Sequence, residues 1–86
     1  MAIIEPAILI VEDEEVIRDT LKELLSGEKY VVSAAARVAD AAKLAREQDF
    51  DVVLMDVRLP GMNGVETFFE FRKIRPHARV LMMTGF

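Results

Sequence analysis

Ala7-Ile8-Leu9-Ile10-Val11-Glu12-Asp13-Glu14 is a short, unbroken apolar run that ends abruptly in acids. A strand with one wet face alternates apolar and polar residues, so a run without alternation describes a strand buried on both faces. The pattern recurs downstream. Val52-Val53-Leu54-Met55 is a second such run, ending in Asp56, and Val80-Leu81-Met82-Met83 is another, ending at Thr84. Tyr30-Val31-Val32 reads as a further strand between them.

The intervening segments have helical periodicity. From Glu14 to Ser26 the apolar residues Val16, Ile17, Leu21, Leu24 and Leu25 form a stripe. Glu14 and Glu15 suit the positive end of the helix dipole, and Gly27 is placed to stop the helix. Val38 to Glu47 is a short helix whose apolar face is mostly alanine, which predicts close packing. Asn63 to Arg75 reads as a third helix with Val65, Phe68 and Phe71 on its core face and Phe69 off it. The order is βαβαβαβ. Strands alternating with helices imply an α/β fold: a parallel sheet, right-handed crossovers and helices on both faces.

In such sheets the chemistry collects at the carboxyl ends of the strands. Glu12-Asp13, Asp56 and Thr84 stand at those ends, far apart in sequence, so only the fold can bring them together. Taken singly, each acid reads more readily as a helix cap or a solvated loop residue than as part of a site. Together they are less ordinary, because carboxylates at one edge repel and raise each other's pKa unless a cation neutralises them. An all-oxygen donor set suits a hard ion such as Mg²⁺, with Mn²⁺ an alternative. A carboxylate beside such an ion can attack phosphorus and form an aspartyl phosphate.

Composition limits the alternatives. Eighty-six residues make one domain at most, and 52% hydrophobic with 30% charged residues describes a folded chain rather than a disordered one. A net charge of −4 counts against a nucleic-acid-binding surface. The absence of cysteine excludes a disulfide scaffold and a thiolate metal site. The single histidine, His77, follows Pro76 in a connection and reads as an exposed loop residue. Met55, Met82 and Met83 read as core fillers. Lys43, Arg46, Arg72, Lys73 and Arg75 read as helix-surface charges without a basic patch. No uncharged stretch approaches the ~20 residues of a membrane span, and no secretory signal pattern is visible, so a cytoplasmic location with no membrane partner is expected.

The run Ile8 to Glu14 resembles the first strand and acidic pair of response-regulator receiver domains. Val53-Leu54-Met55-Asp56-Val57-Arg58-Leu59-Pro60-Gly61-Met62-Asn63-Gly64 closely resembles that family's phosphoacceptor strand and following loop, and Val80 to Gly85 is similar to its fourth strand. The resemblance implies a flavodoxin-like sheet of order 2-1-3-4. It makes residues 1–86 a partial receiver domain that lacks the fourth helix, the fifth strand with its lysine, the fifth helix and any output domain. It implies that Asp56 accepts a phosphoryl group from a sensor histidine kinase or phosphotransfer protein. Asp13, Asp56 and the backbone carbonyl of Arg58 match direct Mg²⁺ ligands, and Glu12, where aspartate is more usual, matches an acid acting through metal-bound water. Thr84 matches the hydroxyl that binds the phosphoryl group, Gly85 leaves room for it, and Pro60, Gly61 and Gly64 shape the loop. Catalysis would be limited to self-phosphorylation from a donor and slow autodephosphorylation.

Other functional classes stay open at this point. A non-phosphorylated interaction or assembly module on the same scaffold is the main alternative. A haloacid-dehalogenase-like phosphatase would want a second aspartate two residues after the nucleophile, where this chain has Arg58. Nucleotide binding would want a glycine-rich loop where it has Glu12-Asp13. The strands beginning at Val52 and Val80 demand cover on both faces, and the family's winding leaves the last strand bare on the side of the first helix. Self-association through these strands and the third helix is therefore expected, with Phe69 and Phe86 as contacts.

Overall fold

The computed structural model describes residues 5–56 and 64–83. Its elements are β1 (Ala7–Val11), α1 (Glu15–Ser26), β2 (Val31–Ala35), α2 (Val38–Glu47), β3 (Val52–Asp56), α3 (Gly64–Ile74) and β4 (Arg79–Met83). The strands form one parallel sheet in the order β2-β1-β3-β4. The sequence expectation of a 2-1-3-4 α/β sheet is met.

Alternation along the strands divides the residues between two faces. Leu9, Val11, Val53 and Met55 point to one face, where they meet Ala41 and Ala45 of α2, Phe50, Phe71 of α3, and Ala78. Ala41 and Ala45 are fully buried, so the alanine face does bring α2 close to the sheet. Ile8 and Ile10 are buried on the opposite face, under α1, which packs on β1 and β2. Helix α1 buries no residue completely; Leu21 and Leu25 are half-buried, while Val16 and Leu24 are exposed.

Asp51 sets the strands level at their amino ends. Its side-chain Oδ2 accepts the Ala7 N–H at 2.8 Å, its own N–H donates to the Ala7 carbonyl at 2.8 Å, and its carbonyl accepts the Arg79 N–H at 2.9 Å. One residue thus ties β1, β3 and β4 into register, and their far ends finish side by side.

The structure corrects several local readings. β2 starts at Val31, leaving Tyr30 outside it, and its end takes in Ser33 to Ala35 of the alanine-rich stretch, where pairing with β1 supplies the backbone bonds that alanine's weak strand preference does not. Helix α1 does stop at Gly27, its C-cap, but Gly27 stays right-handed at φ −66° and the left-handed backbone comes two residues later, at Lys29, with φ 65°. Met55 is core, as read, but Met82 is 38% exposed and Met83 half-buried, because β4 stands at the sheet's edge among the described residues. Arg75 is no surface charge. It follows α3, and its guanidinium caps α2: Nε donates to the carbonyls of Ala45 at 2.8 Å and Gln48 at 3.0 Å, and Nη2 to that of Arg46 at 3.3 Å. These are carbonyls that a helix end otherwise leaves without partners. Phe69 is exposed and Phe71 buried, as the stripe predicts, whereas Phe68 is only half-buried.

Candidate functional site

β1 and β3 are direct neighbours, and Val11 pairs with Met55. One step further along each strand come Glu12 and Asp56, so parallel pairing alone brings two acids from distant segments together. Asp13 follows in the turn before α1. One carboxylate oxygen from each of Glu12, Asp13 and Asp56 lies within 4.8 Å of the other two. Glu12 is 3% exposed and Asp56 4% exposed, and Asp13 is open to solvent.

Local backbone geometry holds the group. The Glu12 N–H donates to the Ala35 carbonyl at 3.1 Å, which extends the β1–β2 ladder by one rung. The Glu12 carboxylate Oε1 accepts the Glu14 N–H at 3.1 Å. The Arg18 Nη1 donates to the Glu12 carbonyl at 3.1 Å and draws the first turn of α1 over the end of β1. Sequence reasoning missed Arg18; its signal was a lone cation one turn into a helix that begins at an acid cluster.

The Glu12 carboxyl is raised above the ordinary glutamate value of 4.5, first because burial strips water from its charged form. The Glu14 N–H opposes this. The charge of Asp56, and hydrogen bonds that a protonated Glu12 shares with Asp13 and Asp56, add to the rise. Three crowded carboxylates, two of them dry, lower their mutual repulsion by taking a proton or a cation. Oxygen donors at this spacing suit a hard divalent ion, and the residues present therefore fit one.

Glu12, Asp13 and Asp56, all expected at the site from sequence, are thus brought together. β4 finishes level with them, Met83 pairing with Asp56. Arg58, Thr84 and Gly85, together with Pro60 and Gly61, lie outside the described residues, as does Phe86.

Residues 8–86 match the family model of the response regulator receiver domain. The chain is 42% identical over 78 residues to the aerobic respiration control protein ArcA of Escherichia coli K12, covering 91% of this chain and 32% of ArcA. It therefore spans about a third of that relative's length. A response regulator from Burkholderia pseudomallei, crystallised with a phosphorylated aspartic acid, calcium ion and citrate, superposes with a TM-score of 0.88 at 29% identity, over 95% of this chain and 48% of the other. A chain from the crystal structure of the histidine kinase ThkA in complex with the response regulator TrrA superposes with a TM-score of 0.82 at 35% identity, over 93% and 69%.

Proposed function

The chain belongs to the response regulator receiver domain family, and on that premise we propose that it accepts a phosphoryl group on Asp56 from a sensor histidine kinase or phosphotransfer protein. The observation that carries this reading is the convergence of Glu12, Asp13 and Asp56 at the carboxyl end of the sheet, with Asp56 buried beside the other two. An Asp56 carboxylate oxygen attacks phosphorus, and the bond from phosphorus to the donor's imidazole nitrogen breaks. The imidazole leaves with the bonding pair and an acyl phosphate remains. Asp13 and Asp56, with Glu12 through water and the Arg58 carbonyl, would hold Mg²⁺ or Mn²⁺. When bound, such an ion neutralises charge developing on the phosphoryl oxygens. Thr84 would donate its hydroxyl to the transferred group. Fixed by strand pairing, Asp56 meets the donor without reorganisation, which is where the fold contributes to rate.

The kinase co-complex among the structural neighbours supports a histidine-kinase partner. Catalysis is confined to accepting the phosphoryl group and hydrolysing it slowly, and we place the protein in the cytoplasm, consistent with the lack of a membrane-spanning helix among the described residues. Acetyl phosphate with Mg²⁺ tests the reading. The expected product is base-labile, lies on Asp56 by mass spectrometry, and is lost in Asp56→Asn. Asp13→Ala should abolish the response to Mg²⁺ titration. A phosphoryl group on Thr84 or a serine, or no modification at all, overturns the proposal; the last outcome favours the non-phosphorylated assembly module.

A further inference from the structure

β1 ends at Val11 and α1 begins at Glu15, so Glu12, Asp13 and Glu14 alone make the turn between them. The sheet anchors Glu12, whose N–H donates to the Ala35 carbonyl. Asp13 is the exposed member of the acid trio and lies beyond the last paired residue of β1. Where its carboxylate stands therefore depends on how the turn itself is held.

Arg18 holds that turn on both sides of Asp13. Its main-chain N–H donates to the Glu14 carbonyl at 2.9 Å, and its guanidinium Nη1 donates to the Glu12 carbonyl at 3.1 Å. The first bond is an ordinary rung of α1 that any residue there would form. The second belongs to the side chain. An N-cap side chain usually ties a helix to the turn before it, but the N-cap of α1 is Glu14, which makes no side-chain cap bond. Here the tie runs backwards, from a half-buried arginine inside the helix to the residue that precedes Asp13.

We infer that Arg18 is a positioning residue of the acid site: by holding the Glu12 and Glu14 carbonyls it keeps Asp13 where its carboxylate joins those of Glu12 and Asp56 on one divalent ion. This role rests on the metal site proposed above, and Arg18 acts in it through Asp13 and not on the ion. Charge alone predicts the opposite effect. A guanidinium bonded beside three carboxylates disfavours a second cation among them, so a neutral residue at position 18 would tighten metal binding if Arg18 did nothing for the geometry. The side-chain bond uses a single nitrogen, so a lysine ammonium can replace it, which it cannot do where arginine binds with both prongs.

Mn²⁺ titration, followed by the electron paramagnetic resonance of the free ion and without phosphodonor, tests the inference. Two neutral variants, Arg18→Met and Arg18→Gln, should each bind Mn²⁺ about ten-fold more weakly than wild type, the loss of one charged hydrogen bond. Arg18→Lys should bind close to wild type. Leu25→Ala, which trims a half-buried side chain at the other end of α1, should leave the affinity unchanged although it weakens the helix. Circular dichroism identifies the folded variants, and either neutral one suffices. In metal-free protein, ¹⁵N relaxation should show Asp13 and Glu14 more mobile in the neutral variants and unchanged in Arg18→Lys. A neutral variant that binds Mn²⁺ as tightly as wild type or more tightly, a lysine variant as weak as the neutral ones, or an equal loss in Leu25→Ala would each overturn the inference. A wild type that binds no Mn²⁺ would instead overturn the proposed metal site, and unchanged mobility of Asp13 and Glu14 would then overturn the role of Arg18 as well.

Discussion

Glu12 and Asp56 hold carboxylate oxygens within 4.8 Å of each other across the seam between β1 and β3, both nearly sealed from water. Burial first, and then the neighbouring Asp56 charge, raise the Glu12 carboxyl above 4.5.

That shift has a defined sign. The folded chain keeps the Glu12 proton at pH values where the unfolded chain has lost it, so Glu12 favours folding below the ordinary glutamate value. That contribution disappears as pH rises through the raised one. In metal-free buffer, Glu12→Gln is expected to stabilise the chain at about pH 7 and to have little effect at about pH 4. Mg²⁺ should narrow the gap at neutral pH by stabilising wild type more than the variant. Urea midpoints at the two pH values, with and without Mg²⁺, measure this. A difference independent of pH would exclude Glu12 as the shifted group.

Arg75 is expected to matter for stability although it lies far from the acids. Its bonds to the carbonyls of Ala45, Gln48 and Arg46 close the end of α2. Arg75→Ala should cost roughly 1–3 kcal/mol, in the range of charged hydrogen bonds. Arg75→Lys should recover only part of this, because an ammonium lacks the planar fork. Asp49 lies 3.9 Å from the Arg75 Nε and is 85% exposed, so Asp49→Ala should change stability by less than about 0.5 kcal/mol. Chemical denaturation of the three variants separates the cap from the ion pair. Equal losses in Arg75→Ala and Asp49→Ala would contradict the cap.

Lys29 holds a left-handed backbone, φ 65°, at the exit of α1. A side chain there costs on the order of 1 kcal/mol that glycine avoids, partly offset by glycine's greater unfolded-state freedom. Lys29→Gly should therefore be neutral to mildly stabilising and Lys29→Val clearly destabilising, both read from thermal midpoints. A valine variant as stable as wild type would show that the turn relaxes out of this conformation.

Much of the molecule was legible in its residues. Runs such as Ala7 to Val11 and Val52 to Met55 name their strands because a backbone buried on both faces tolerates no polar alternation. Ala41 and Ala45 foretold close packing of α2 because a methyl group leaves little to separate a helix from a sheet. The acids Glu12, Asp13 and Asp56 were legible as a set for a topological reason: in a parallel α/β sheet every strand end points the same way.

Other features depended on neighbours that no local pattern names. Arg75 has the signature of a solvated charge, and only the packing of α3 beside α2 places its guanidinium on the carbonyls of Ala45 and Arg46. No local pattern names Lys29 as the left-handed residue after α1; the exit has to bring Val31 beside Ala7 of β1. Leu81 shows both parts at once. Its sequence fixed a demand for burial, since an apolar strand gains by leaving water wherever it lies. The sheet order decided that this demand goes unmet among the described residues, because β4 has a neighbour on one side only, and cover is a property of what packs against a strand and not of the strand itself.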